Sequence, residues 1–298
     1  MAVRQAAGPV TRRGTRMVRV RAIAAVRRSV GRWRARGQRI AFVPTMGAIH
    51  AGHLSLVRRA RATAERVVAS LFVNPLQFGP GEDFRSYPRP RRSDRERLAA
   101  AGVDLLWEPA VTDLYPPGHC TRVRVVGLSD VLEGASRPGH FEGVATVVTA
   151  LLHVVSPDVL WLGQKDAQQA RLIERMVVDL RLAVRVRRAP TVREADGLAL
   201  SSRNAYLSAD ERRQAVALSR GLKAASRLLH AGERSAVRLR AAIRRTWRAY
   251  PKVREDYVAV VDASTLAPLA RVRGRALVAV AARVGPARLI DNFEWGPR

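Results

Sequence analysis

Between residues 39 and 190, short apolar runs alternate with segments of helical period, and this alternation constrains the fold more than any other feature. "RIAFVP" (39–44), "RVVASLFV" (66–73), "VDLLWEP" (103–109) and "DVLWLG" (158–163) read as buried strands, closed by proline, glycine or polar residues. Between them fall a helix over 53–64, with Leu54, Val57 and Ala64 on one side, and another near 93–101. A third, over 142–155, carries the stripe Val144, Val147, Val148, Leu151, Leu152 and Val155. A fourth is predicted to run to about Leu180 with Asp166 as its cap, ahead of a strand at "VRVRRAP". Strands alternating with helices in this way predict an α/β chain built on a parallel, doubly wound sheet.

The pattern changes after Pro190. "TVREADGLALSSRNAYLS" is polar and rich in turn residues, and Ser208 with Glu211 forms a capping box for a helix to about Ala231. A helix over 235–250 and strands at "DYVAVVD" and "RALVAVAARV" follow, which predicts a smaller α+β domain over 191–298 behind a first domain over 17–190. At 298 residues and 47% apolar composition, each has enough material for a core. Residues 1–16 carry Arg, Gly and Pro and no acid, somewhat like a transit peptide. The acid-free stretch runs on to Ala64, past the first core strand, so composition explains it better than targeting. We read residues 1–16 as a disordered extension, with Met17 as a second candidate start.

The formal net charge is +28, a value that raises nucleic-acid binding as a hypothesis. Lysine, however, occurs only at Lys165, Lys223 and Lys252, so nearly all of the 53 basic residues are arginines spread along the chain. That ratio is read as coding bias, with weak salt-sensitive adhesion to polyanions as its consequence and no specific nucleic-acid site. A lysine that survives such a bias marks a position where arginine does not substitute, and Lys165 is the first candidate. The lone Cys120 rules out an internal disulfide framework and is read as a semi-buried small residue in a reducing, cytoplasmic compartment. No apolar run approaches the ~20 residues of a membrane helix.

Four polar clusters sit at or beside strand ends, where open parallel sheets bind ligands. In "TMGAIHAGH" (45–53) the glycines Gly47 and Gly52 allow close approach, and the helix opening at Gly52–His53 offers N–H groups and a positive dipole end to an anion. His50 and His53 add imidazole donors. A metal site would need a third ligand that nothing nearby supplies, and an ordinary loop is the remaining alternative; the phosphate reading is preferred. In "GQKDAQQ" (163–169) Lys165 offers a point charge, while Gln168 and Gln169 offer amides to a small molecule or to solvent. Asn74 and Gln77, uncharged amides that suit a substrate's hydroxyl and carboxylate, are both substrate-binding candidates and precede a long Pro/Gly/Arg loop that reads as a lid. "SSRN" adds Ser201, Ser202 and Arg203 as donors, with no G-x-S-x-G elbow around them. The Walker A and G-x-G-x-x-G patterns are absent, so a nucleotide would need another phosphate cradle.

H-x-G-H at a helix opening after the first core strand resembles the nucleotidyltransferase superfamily. More closely, "PTMGAIHAGHLSL", "FVNPLQFGPGEDFRSYPR", "GHFEGVATVV", "GQKDAQQ", "DGLALSSRNAYLS" and "ARLIDN", in that order, resemble the pantoate–β-alanine ligase (pantothenate synthetase) family from about Met17 to Asn292. The resemblance implies a Rossmann-like first domain, a small C-terminal lid domain and usually a homodimer. It also implies an ATP- and Mg²⁺-dependent condensation of pantoate with β-alanine, through pantoyl adenylate, releasing pyrophosphate and AMP. Carried over by position, the 46–53 segment (Met46, Gly47, Ala48, Ile49, His50, Ala51, Gly52 and His53) would line the ATP site, with His53 as the residue the family describes as proton donor. Gly163, Gln164, Lys165 and Asp166 would bind the nucleotide, Val192 would touch adenine, and Leu200, Ser201, Ser202 and Arg203 would close over the triphosphate. Gln77 and Gln169 would hold pantoate, with Asn74 beside them. His50, His53, Lys165, Ser201, Ser202 and Arg203 form the expected catalytic set, with both histidines acting mainly as transition-state stabilisers. Gln164 stands where many relatives carry Glu, with little effect expected. Of the adjacent acids that some members carry near "RPRRSDRER" for magnesium, only Asp94 is present, so no protein ligand for the metal is assigned. Two alternatives remain: an H-x-G-H enzyme that adenylates a phosphate ester, which would need a phosphate pocket at Gln77 and Gln169, and a basic nucleic-acid-binding protein that keeps an old fold.

Overall fold

The computed structural model describes residues 17–296, so the extension predicted over 1–16 lies outside the described residues. The first half alternates as expected: β1 (Val18–Val20), α1 (Ile23–Arg34), β2 (Ile40–Thr45), α2 (Ala51–Arg61), β3 (Arg66–Leu71), α3 (Arg91–Ala100) and β4 (Leu105–Trp107). Two short turns, α4 (Val111–Leu114) and α5 (Glu133–Ser136), lead to α6 (His140–Val155), β5 (Val159–Gly163), α7 (Ala167–Asp179) and β6 (Arg185–Ala189). The six strands pair in the order β1-β4-β3-β2-β5-β6, and every pair is parallel.

Parallel pairing requires helices on both faces, and β2 shows the result. Ile40 and Phe42 point into one core with α1, α6 and α7; Ala41 and Val43 point into the other with α2 and α3. All four are fully buried, which is why the strand reads as an unbroken apolar run. β1 escaped sequence reading because three residues, two of them exposed, carry no periodic signal.

The C-terminal region is α8 (Ala209–Ala215), α9 (Ala217–His230), α10 (Ala236–Trp247), and an antiparallel sheet of β7 (Val253–Asp262), β8 (Ala276–Val284) and β9 (Ala287–Trp295). The capping box forms as predicted, with Ser208 Oγ accepting from the Glu211 N–H and the Glu211 carboxylate accepting from the Ser208 N–H. The single helix predicted beyond it is two, interrupted at Val216. One face of the sheet packs on α9 and α10. The other face, through Val261, Leu277 and Ala279, joins the core that contains α6 and α7. β9 therefore lies against the carboxyl ends of the parallel strands, and sequence periodicity did not isolate it.

Candidate active site

The strand order reverses between β2 and β5, which creates a crevice at their carboxyl ends. A cavity of about 240 Å³ occupies it, lined among others by Met46, His50, His53, Gln77, Lys165 and Gln169. A second cavity of about 390 Å³ adjoins and shares Lys165, Gln169 and Arg203 with it.

The two histidines occupy helix-capping positions where Ser and Glu usually stand. His50 is the N-cap of α2, and its Nδ1 accepts a hydrogen bond from the Gly52 N–H at 3.1 Å. The His50 N–H in turn donates to Nδ1 of His53 at 3.4 Å. In both neutral rings the proton therefore sits on Nε2, and that edge is left for whatever fills the crevice. The ring centroids lie 4.1 Å apart. The glycine between them has a steric cause: a Cβ at Gly52 would lie 2.8 Å from His50 Cε1 and 2.9 Å from its Nδ1. The expectation of a free Gly52 N–H for an anion is corrected here, because the His50 ring takes that donor.

The loop that carries these rings is pinned from beneath. Gly47 (φ +93°) and Ala48 (φ +49°) are both left-handed, a conformation that non-glycine residues rarely adopt. Asp94, buried on α3, accepts from the N–H groups of Ala48 (2.9 Å) and Ile49 (2.7 Å). A Cβ at Gly47 would come within 3.0 Å of the same carboxylate. Both oxygens of Asp94 are thus occupied by the loop, a role that its sequence neighbourhood did not reveal.

Gln77 is positioned just as firmly. Its Oε1 accepts from Asn74 Nδ2 at 3.2 Å and its Nε2 donates to Met46 Sδ at 3.0 Å. Asn74, 1% exposed, also donates to the Gly143 carbonyl and accepts from Tyr115 Oη and the Leu76 N–H, so its amide is saturated by the protein. α6 approaches the turn Pro75–Gln77 so closely that a Cβ at Gly143 would lie 2.2 Å from the Leu76 carbonyl oxygen. The Gln77 carbonyl accepts from His140 Nδ1 (2.8 Å) and Arg137 (3.2 Å), and Arg137 makes a two-pronged pair with Glu82 of the long loop.

On the opposite wall, Lys165 Nζ lies 3.5 Å from Asp166 and its side chain is 20% exposed. Asp166 occupies the N-cap position of α7 without making a capping bond, which corrects the predicted cap; a turn over Gln164–Asp166 intervenes between strand and helix. Gln169 faces the crevice, and among the described residues nothing hydrogen-bonds its amide. Gln168 points the other way, donating to the carbonyls of Leu128 and Val131 and accepting from the Glu133 N–H, so it is structural. Val192, Leu200, Ser201 and Ser202 close the far side. Arg203 forks onto Asp83 at 3.0 and 3.2 Å, and Ser202 Oγ meets Tyr87 Oη at 3.2 Å, which joins the long loop to the 201–206 turn.

Gly47, Ala48, Ile49, Ala51 and Gln164 lie beside the crevice cavity rather than in its lining. The Ile49 side chain is in the core, and Gln164 turns its amide toward Asn292, Glu294 and Arg188. Gln164 thus has more contacts than expected, because it ties the turn after β5 to β9. Burial and the neighbouring Lys165 and Arg97 push His50 down to about 4. Burial, then His50, pushes His53 down to about 3. Both rings are neutral at pH 7 in the free protein. Among the described residues no cluster of three or more His, Cys, Asp or Glu could hold a metal ion, and no helix is long and apolar enough to cross a membrane.

A parallel sheet with neutral imidazoles, an ammonium and two amides converging at its topological switch point defines an α/β enzyme built to hold an anionic, polar ligand. The comparisons specify which: the profile of the pantoate-beta-alanine ligase family matches residues 18–294, and the chain belongs to that family. It is 55% identical over 270 residues to the pantothenate synthetase of Moorella thermoacetica, covering 91% of this chain and 95% of that one. The Thermotoga neapolitana pantothenate synthetase is 52% identical, covering 86% and 92%. The crystal structure of pantothenate synthetase from Thermus thermophilus superposes with a TM-score of 0.90 at 48% identity, over 94% of this chain and all of that one. The pantoate-beta-alanine ligase of Francisella tularensis, complexed with beta-gamma ATP and beta-alanine, superposes with a TM-score of 0.77 at 34% identity, over 93% and 97%. The chain is accordingly a ligase by family, and its parallel sheet with a small C-terminal antiparallel sheet is the predicted fold.

Proposed function

We propose that this protein condenses pantoate with β-alanine to pantothenate, coupled to cleavage of ATP to AMP and pyrophosphate. The observation that carries this reading is the convergence of two Nε2–H edges and Lys165 on a crevice that also holds the Gln77 and Gln169 amides. In the first step a carboxylate oxygen of pantoate attacks the α-phosphorus of ATP, and the bond to the β-phosphate oxygen breaks. Charge builds on the leaving pyrophosphate. Neutral imidazoles and an ammonium donate hydrogen bonds to it more strongly in the transition state than in the ground state. With His53 held at about 3, it acts as a hydrogen-bond donor rather than as an acid in the free enzyme. In the second step the β-alanine amine attacks the acyl carbon, loses a proton and expels AMP.

Two neutral amides suit the hydroxyl and carboxylate of pantoate better than a phosphate ester, which argues against the alternative adenylation. We assign Gln169 and Gln77 to pantoate, Asn74 to holding Gln77, Val192 to the adenine side, and Leu200, Ser201, Ser202 and Arg203 to the triphosphate. Mg²⁺ enters as MgATP: Asp94 has both oxygens on backbone N–H groups, and the carboxylate that lines the crevice is Asp166, beside Lys165. A first domain to residue 190, a lid function for residues 191–298, a homodimer and a cytoplasmic location complete the reading. The test is AMP release by purified protein with pantoate and MgATP, with and without β-alanine. Sustained AMP and pantothenate only with β-alanine supports the reading. A folded protein that instead turns over a phosphate ester with ATP overturns it.

A further inference from the structure

The block "ARLIDN" lines the adjoining cavity rather than the crevice itself, and its last two residues are buried, Asp291 at 2% and Asn292 at 5% exposure. Asn292 Nδ2 donates to two successive carbonyls, Gln164 O at 3.1 Å and Lys165 O at 2.7 Å, and its Oδ1 accepts from Gln164 Nε2 at 3.3 Å. One amide on β9 therefore fixes the backbone from which the Lys165 side chain departs. Its neighbour anchors the facing wall: Asp291 accepts both prongs of Arg193, at 2.6 and 2.8 Å, and Arg193 also donates to the Gly197 carbonyl. The hairpin so held is closed by the Leu200 N–H on Val192 O at 3.0 Å, and it carries Val192, Leu200 and Ser201 to the crevice. β9 is thus locked on one side by a charge pair, so that a shift of Asn292 cannot be taken up by the strand sliding.

We infer that Asn292 is a positioning residue for adenylation, acting through Lys165: it fixes where the ammonium meets the phosphate chain without touching the nucleotide. The inference rests on the assignment of ATP to this crevice. A backbone held by two hydrogen bonds at the foot of a four-carbon side chain confines the ammonium. Without them the carbonyls seek other donors and the turn Gln164–Asp166 relaxes.

The test is a double-mutant cycle read by the affinity for a non-hydrolysable ATP analogue with Mg²⁺. Asn292→Ala in the full-length chain should weaken binding about tenfold, in line with the loss of two hydrogen bonds, and by less than about threefold when Lys165 is already Ala. Asn292→Ser, too short to reach both carbonyls, takes the same test if the alanine variant does not fold. Equal weakening in both backgrounds would assign Asn292 to the fold alone, and no weakening would make its carbonyl bonds irrelevant to the nucleotide; either overturns the inference. Wild-type protein that binds the analogue but makes no pantothenate counts against the substrates proposed above and leaves this coupling standing. Wild-type protein that binds no analogue sinks both.

Discussion

Gly52→Ala isolates the geometry of the histidine pair from its chemistry. The new Cβ would sit 2.8 and 2.9 Å from Cε1 and Nδ1 of His50, against an ordinary carbon contact of about 3.5 Å or more. The obstructing atoms belong to a side chain, so the ring swings away and the fold survives; alanine also lowers the backbone entropy lost on folding by about 0.5–1 kcal/mol relative to glycine within a helix. What is lost is the Gly52 N–H to Nδ1 bond, and with it the placement of the Nε2–H. Removing one pre-aimed donor from a developing oxyanion costs about 10²–10³ in rate, or about 2.7–4 kcal/mol. Pantoate-dependent exchange of labelled pyrophosphate into ATP measures the step. We expect a fall of that size at an unchanged melting temperature. We also expect Gly52→Ala to add little to His50→Ala, because the clash disappears with the ring. Wild-type exchange by Gly52→Ala, or a double variant far slower than His50→Ala, would refute the reasoning.

Three further outcomes follow from the same contacts. Gly143→Ala places a Cβ 2.2 Å from backbone at Leu76, which cannot yield as a side chain does; overpacking of about 1–3 kcal/mol should appear in urea unfolding, with a raised KM for pantoate as Gln77 shifts. Asp94→Asn exchanges a double acceptor for one oxygen and an NH₂ facing a backbone donor, so a loss of about 1–3 kcal/mol in urea unfolding is expected together with slower pyrophosphate exchange, since Ala48 and Ile49 lose their anchor. His50, His53 and His140 are held at about 4, 3 and 4, below the ordinary value of about 6.5. The unfolded chain therefore takes up protons that the native rings refuse. Stability should be full above pH 6.5 and fall as pH drops from 6.5 toward 4, and His50→Gln/His53→Gln should flatten that slope in thermal melts.

Much of the fold was legible because burial leaves a one-dimensional trace. β2, β3 and β5 are apolar on both faces, α6 carries a clean stripe, and the capping box at Ser208 is a local signal. β1 and β9 were not isolated, since a three-residue strand and an alternating strand with charges at Arg288, Asp291 and Glu294 carry weak local patterns. The histidines, Lys165, Gln77 and Gln169, which meet in one crevice, were picked out as candidates from residue type at strand ends, and the family resemblance supplied the roles. The supporting residues were hidden for a common reason. Asp94, Gly143 and Asn292 act across 46, 67 and 128 residues of chain, on Ala48, Leu76 and Gln164 respectively, so the local sequence around each carries no sign of the contact. Gln168 and Gln169 illustrate the limit from the other side: adjacent and chemically identical, they point to the core and to the crevice, a difference set by the helical turn rather than by type.

The central claim, that pantoate carboxylate oxygen attacks the α-phosphorus within this crevice, is tested most directly by isotope transfer. Pantoate labelled with ¹⁸O in its carboxylate is turned over with MgATP and β-alanine, and AMP and pyrophosphate are examined by mass spectrometry. The mechanism predicts one labelled oxygen in each AMP, because the oxygen that attacks phosphorus leaves with it when the amide forms. Label in inorganic phosphate with ADP as co-product, or pantothenate formed alongside unlabelled AMP, would contradict it.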